Sequence, residues 1–161
     1  MRERDLASAL AADRAHLIHP LHHPSAHTDP KIWVKGEGSM LTDMEGNRFI
    51  DGLSGLWNVN AGHGRRELAM AAQDQMTTLA YASNYIGSAN LPAIELAERL
   101  AGLTYPNFNT FFVGSGGGEA TESAIKTSRF FWKTRGKPDK WKVISRELGY
   151  HGVTLAAMSA T

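Results

Sequence analysis

Residues Phe111–Lys126 read FFVGSGGGEATESAIK, where a short aromatic and β-branched run meets glycines at positions 114, 116, 117 and 118 and then a helical pattern. Glycines placed there let backbone N–H groups approach an anion with no side chain in the way. The following helix adds unpaired N-terminal donors and the positive end of its dipole. The chemistry this predicts is the cradling of a phosphate; a plain tight turn between strand and helix is the alternative for a glycine cluster taken alone. Tyr150-His151-Gly152 ends the next strand-like run, WKVISRELG, and offers an aromatic face for a flat ligand held by the glycine loop.

Spacing argues against the commoner phosphate loops. A dinucleotide fingerprint counted from Gly114 needs glycine where Glu119 stands, and a P-loop needs Gly-Lys-Ser/Thr where this chain has Ile125-Lys126-Thr127. Composition narrows the classes further. The formal net charge is +1, with Lys and Arg scattered, so there is no basic stripe for nucleic acid. The chain has no cysteine, hence neither a disulfide framework nor a thiolate metal site, which suits a reducing, cytoplasmic setting. Met1-Arg2-Glu3-Arg4 leads into polar and small residues, and no run approaches the ~20 apolar residues that span a bilayer. His19, His22, His23 and His27 cluster, but Pro20 and Pro24 interrupt any helix that would align them, so no metal site is expected.

The elements that must position these residues follow from periodicity. Asp5–Leu17, with Leu6, Leu10 and Leu17 among alanines, predicts a short amphipathic helix that stops before Pro20. Between Ile32 and Leu53, β-like runs flank Asp43-Met44-Glu45-Gly46-Asn47, a turn expected to place Gly46 or Asn47 at positive φ within a small β-meander. From Gly62 onward the pattern predicts helix over 65–79, loop over 81–90, helix over 91–103, strand over 110–113, helix over 119–134, strand over 142–146 and a final helix. Such alternation predicts α/β layers around a mainly parallel sheet. In the helix Leu91–Leu103, Pro92 suits the first turn, and Ile94, Leu96, Ala97, Leu100 and Leu103 form the apolar face. Glu119 and Glu122 stand where negative side chains favour the dipole of their own helix.

FFVGSGGGEATESAIK, followed by GYHGVTLAAMSAT, resembles the class III pyridoxal-phosphate-dependent aminotransferases. GEGSMLTDMEGNRFIDGLSGLWNVNAGHG at 36–64, NYIGSANLPAIELAERLAGL at 84–103 and RGKPDKWKVISRELGYHG at 135–152 extend that resemblance in the family's order. It implies fold type I, the aspartate aminotransferase-like α/β fold. On that reading residues 1–60 form an N-terminal helix, loop and β-meander of the small domain, and 61–161 begin the large cofactor-binding domain. The family's chains are longer, so the resemblance implies the N-terminal portion only, about the first third. The apolar final run VTLAAMSAT, with neither glycine cap nor polar tail, reads the same way.

By resemblance, the cofactor is pyridoxal 5'-phosphate, with Gly117 and Gly118 binding the phosphate and Gly116 supporting the turn. Tyr150 stacks on the pyridine ring with His151 beside it. Gly118 departs from the serine that many members carry. Trp57 matches the family's aromatic against the substrate, and Tyr85 falls in the loop that reaches the partner subunit's active site; core packing is the alternative for both. Glu119 matches the glutamate that follows the phosphate loop, and His63 stabilises the turn entering the large domain. No catalytic residue is assigned, because the Schiff-base lysine lies beyond the chain: none of Lys31, Lys35, Lys126, Lys133, Lys137, Lys140 or Lys142 matches its motif. The fragment alone is expected to be inactive.

The implied activity of the complete protein is transfer of an amino group from an ω-amino acid or amine to pyruvate or a related 2-oxo acid, by a homodimer without nucleic-acid or membrane partners. An aminomutase or decarboxylase on the same cofactor, or a non-catalytic fragment binding a phosphorylated ligand, are the alternatives.

Overall fold

The Asp5 side chain accepts the Ser8 N–H at 2.7 Å and so caps helix α1, Leu6–His16, which ends where Leu17 turns extended. The computed structural model describes residues 4–20, 23–26 and 28–161. The chain divides into two compact units, Met1–Ala82 and Ser83–Thr161.

In the first unit the expected β-meander is present. Strands β1 (Trp33–Glu37), β2 (Met40–Asp43) and β3 (Arg48–Ile50) form an antiparallel sheet in that order, with Gly36 opposite Leu41 and Leu41 opposite Phe49. The β2–β3 turn depends on Asp43, which is 2% exposed. Its Oδ1 accepts the N–H groups of Glu45 and Asn47 at 3.0 and 2.8 Å, and its Oδ2 accepts the Asn47 side-chain amide at 3.2 Å. Gly46 takes the positive φ of +85° that the turn requires.

After β3 the backbone does something the sequence does not announce. Element α2, Ser54–Trp57, is a single turn whose φ angles are +49°, +60°, +61° and +64°. These are left-handed values, and three of the four residues, Ser54, Leu56 and Trp57, are not glycine. Each such residue costs about 1–2 kcal/mol relative to the right-handed form. Helix α3, Arg66–Thr78, follows, with Glu67 in its first turn paired to Arg65.

In the second unit Asn90 caps α4, Leu91–Leu103, by accepting the Ala93 N–H at 3.0 Å, and Pro92 lies in its first turn as expected. Helix α5 runs Gly117–Thr134, starting inside the glycine loop rather than at Glu119, and α6, Leu155–Met158, packs against it. The buried apolar residues, Ala157 and Ala160, belong to this α6 region. Of the predicted α4 face, Ile94, Leu96 and Leu103 are at least half exposed, while Ala97 and Leu100 are half-buried.

The strands expected over 110–113 and 142–146 are not formed; both segments lack strand pairing, and the sheet among the described residues is the antiparallel meander alone. A strand exists only through its ladder partners, and no neighbouring strand lies beside either segment, so Phe112, Val113 and Ile144 remain exposed. Among the described residues, no helix is long and apolar enough to cross a membrane.

Burial pushes the Asp43 carboxyl up, but the Asn47 and Glu45 hydrogen bonds, with Lys31 nearby, outweigh it and hold the group below its ordinary 3.8. The depressed value means its stabilisation is complete above 3.8 and is lost as pH falls from there through the folded value. Urea midpoints measured across this acidic range should fall with pH, and Asp43→Asn should flatten that limb; an unchanged limb would remove Asp43 from this role.

Candidate functional site

The glycine loop enters α5 with Gly116 as an extended cap residue, and no side chain caps the helix. The first intrahelical bond runs from the Ala120 N–H to the Gly116 carbonyl at 3.0 Å, so the N–H groups at Gly117 and Gly118 precede the ladder. A Cβ at Gly116 or Gly117 would meet no atom within 4 Å. Uncapped amides beside open space, at a positive dipole end, can hold an anion of phosphate size.

Glu119 folds back across this loop. Its Oε2 accepts the Ser115 N–H at 2.7 Å and the Ser115 hydroxyl at 2.5 Å, and these bonds, the side-chain one foremost, hold its carboxyl below the ordinary value. It therefore braces the loop against its own first turn, in the manner of a capping box. Glu122 does not serve its own helix as expected. Its Oε1 accepts the Ala156 and Ala157 N–H groups at 2.6 and 3.4 Å, and so satisfies the first turn of α6. Its carboxyl is lowered first by Thr154 and then by the Ala156 N–H.

That bond helps bring the Tyr150-His151-Gly152 segment to the glycine loop. Gly152 is buried with φ +122°, and a Cβ there would lie 2.8 Å from Gly118 Cα and 3.1 Å from Ala157 Cβ. Thr154 Oγ1 donates to the Gly118 carbonyl at 3.3 Å. Tyr150 is 68% exposed, so its ring is free to meet a ligand. His151 donates its N–H to Thr161 Oγ1 at 3.2 Å, whereas its ring Nε2 is buried without a hydrogen-bond partner. The structure thus joins Gly116, Gly117, Gly118, Tyr150 and His151 within one unit. Tyr85, in the same unit, lies in an exposed turn where its N–H bonds Ser83 Oγ at 2.9 Å. An apolar trough of about 560 Å³ lined by Ile125, Trp141, Val143 and Leu155 includes none of these site residues.

Trp57 belongs to the first unit and stands in the left-handed turn, 70% exposed. Neither Trp57 nor Tyr85 packs into a core within this chain. His63 reaches further than the turn it occupies. Its backbone pairs both ways with Gly38, at 2.8 and 3.0 Å, and its Nε2 lies 2.7 Å from Asp51 Oδ2. Asp51 Oδ2 also accepts the Gly55 N–H at 2.8 Å; this bond first, and His63 second, hold the Asp51 carboxyl below its ordinary value. Asp51 escaped sequence reasoning, although its place between a strand and the GLWNVNAGHG stretch marked a loop needing an anchor. Of the histidine cluster, His22 and His27 lie outside the described residues, while His19 pairs with Asp13 at 2.9 Å and His23 with Ser25 at 2.8 Å. Among the described residues no group of three or more His, Asp or Glu is arranged to hold a metal ion.

Residues 23–161 match the family model for class-III aminotransferases, and the chain belongs to that family. It is 43% identical over 159 residues to a probable aminotransferase of Mycobacterium tuberculosis, covering 99% of this chain and 34% of that protein. It is 38% identical over 154 residues to the omega-amino acid–pyruvate aminotransferase of Pseudomonas putida, covering 96% of this chain and 34% of that protein. A thermostable (S)-enantioselective omega-transaminase from Thermomicrobium roseum superposes with a TM-score of 0.94 at 45% identity, over 99% of this chain and 36% of its own. The chain therefore spans about a third of the length of these relatives. The fold is that of the fold-type-I transaminases, in part, and enzymes of the class-III family depend on pyridoxal phosphate.

Gly152→Ala forces a side chain into the Gly118 backbone from a φ that L residues avoid. Overpacking of this kind typically costs about 1–3 kcal/mol. Denaturant unfolding of the full-length protein should show that loss, together with weaker cofactor retention; wild-type values for both would sink the claim that this contact builds the site.

Proposed function

We propose that this chain is the cofactor-phosphate and substrate-wall portion of a transaminase that moves an amino group from an ω-amino acid or amine to pyruvate or a related 2-oxo acid. The observation that carries the reading is the uncapped α5 N-terminus at Gly116–Gly118, held against the Tyr150-His151-Gly152 segment, in a chain of the class-III family. The similarity to an omega-amino acid–pyruvate aminotransferase supports the substrate class.

The residues present fit pyridoxal phosphate. Open space beside Gly116 and Gly117 suits a phosphate on the Gly117 and Gly118 amides, and the orphaned His151 Nε2 has hydrogen-bonding capacity for a polar group beside the ring. When bound, the cofactor supplies an electron sink for the carbon that loses its proton. The chain's own work is to bind and orient. Glu119 keeps the loop folded, Tyr150 offers a face for the pyridine ring, and Trp57 offers an apolar wall to the body of the amine.

On this reading residues 1–60 serve with the small domain and 61–161 open the large one, the complete protein is a cytoplasmic homodimer, and the exposed Tyr85 turn reaches toward the partner's site. None of the lysines in the chain bears the family's Schiff-base motif, so transamination by residues 1–161 alone is not expected.

The decisive experiment expresses the longest reading frame that contains this chain and follows alanine formation from pyruvate with an ω-amino acid or amine donor. Alanine formed in step with donor loss is expected; release of carbon dioxide or amine migration without alanine would assign another class-III chemistry. A second outcome tests the phosphate site. A Cβ on Gly118 would sit 3.5 Å from Thr154 Cγ2, an ordinary contact, so Gly118→Ser should fold normally. A hydroxyl bond to a charged phosphate is typically worth about 1.5–3 kcal/mol, so equilibrium dialysis should show tighter cofactor binding by roughly tenfold or more. Unchanged affinity would place the phosphate elsewhere.

A further inference from the structure

The strained turn Ser54–Trp57 is held by more than its own sequence. Backbone strain of this kind persists only where the surroundings over-determine it, and here they do so from three sides. One oxygen, Asp51 Oδ2, accepts both the Gly55 N–H at 2.8 Å and the His63 ring at 2.7 Å, which ties the turn to a residue twelve positions beyond Asp51 in the chain. His63 is in turn pinned to the sheet by its two backbone bonds with Gly38. Its ring occupies space that only a glycine at 36 leaves free, since a Cβ there would lie 2.6 Å from the ring. Asn58 Nδ2 donates to the Gly55 and Leu56 carbonyls at 3.2 and 2.9 Å, closing the turn from its far end.

Within residues 1–161 the strained turn buries neither of its large side chains. Trp57 is 70% exposed and Leu56 61%, so a turn that holds three non-glycine residues in the left-handed region presents its largest side chains outward. At a left-handed residue the Cα–Cβ bond leaves the chain in a different direction from that at an extended or right-handed one. Relaxation of the turn would therefore swing the indole away from its present direction.

We propose that Asp51 and His63 form a clasp that positions Trp57 for the amine substrate by holding the Ser54–Trp57 turn in its left-handed form. Asp51 and His63 are then positioning residues, acting through Trp57. This rests on the reading of Trp57 as a substrate wall. The clasp explains why a carboxylate and an imidazole meet at the base of a turn that carries an exposed aromatic. A single acceptor oxygen shared by two donors fixes the separation of residues 55 and 63 more tightly than either bond alone.

The test uses the full-length holoenzyme and the variants Trp57→Ala, Asp51→Ala, His63→Gln and Asp51→Ala/Trp57→Ala, with one donor bearing an aromatic body and one small donor, β-alanine. Asp51→Ala is expected to raise KM for the aromatic donor by about tenfold or more, while kcat with β-alanine and cofactor retention change by less than about twofold. Added to Trp57→Ala it should produce no further change, because both act through one contact. His63→Gln keeps a donor for Asp51 and should raise that KM by less than Asp51→Ala does, which also keeps the test open if Asp51→Ala fails to fold. Independently of turnover, amide exchange at Gly55, Trp57 and Asn58 should quicken in Asp51→Ala and His63→Gln, with the meander amides unchanged. Two results would overturn the clasp: an Asp51→Ala effect fully additive with Trp57→Ala, or unchanged exchange and KM in both clasp variants while Trp57→Ala raises KM. A silent Trp57→Ala is distinguishable from these, since it would remove the substrate-wall reading itself and the positioning role with it.

Discussion

The close approach of two glycine backbones, Gly118 at the start of α5 and Gly152 ahead of α6, is the contact on which the candidate phosphate site depends. With Gly152 buried at positive φ, no side chain stands between the segments, and the Thr154 hydroxyl can reach the Gly118 carbonyl. Tyr150 and His151 immediately precede Gly152 and are carried toward the glycine loop by that approach. Ala157, fully buried, packs into the same junction, and Glu122 supplies the acceptor that the first turn of α6 lacks. A helix as short as α6 has too few internal bonds to stand alone, so its order and the site's order come from one junction.

Carboxylates do much of the local organising in this chain. Asp43 closes the β2–β3 turn, Asp51 holds the left-handed turn, Glu119 braces the glycine loop and Glu122 caps α6, and each does so by accepting backbone N–H groups. Within this chain the buried apolar residues among those described are Ala157 and Ala160, at the α5–α6 junction. All four carboxyls sit below their ordinary values because the ionised form is the better acceptor. The two units thus share a chemical logic: loops that must hold an unusual backbone shape are stitched by an acid to their own amides.

What was legible in the sequence was local. The α4 span with Pro92 in its first turn, the helix near Leu6–His16 and the Gly46 turn depend on residues a few positions apart, and pattern reading found them, though not the Asp5 and Asn90 caps that start the two helices. That a glycine run opens a helix near residue 117 was legible for the same reason, because a helix N-terminus and its glycines are contiguous. The segments 110–113 and 142–146 have strand-like composition, yet a strand is defined by partners distant in sequence, and β-branched residues cannot supply those partners. Glu122 was misassigned on the same ground: its spacing in the helix is right for the local dipole, and nothing near it in sequence announces that its acceptor is used 34 residues away.

The sequence by itself determined most of the helices, the β-meander, the glycine run that opens α5 and, through four ordered motifs, the class-III family, since each is written in short windows where side chain and backbone act on their neighbours. Only the tertiary structure decided which backbone groups those side chains satisfy. The Asp51–His63 contact that secures the left-handed Ser54–Trp57 turn and the meeting of Gly118 with Gly152 are pairings across intervals from twelve to more than thirty residues. They become favourable when the intervening elements have folded and removed the entropy that would otherwise keep such groups apart.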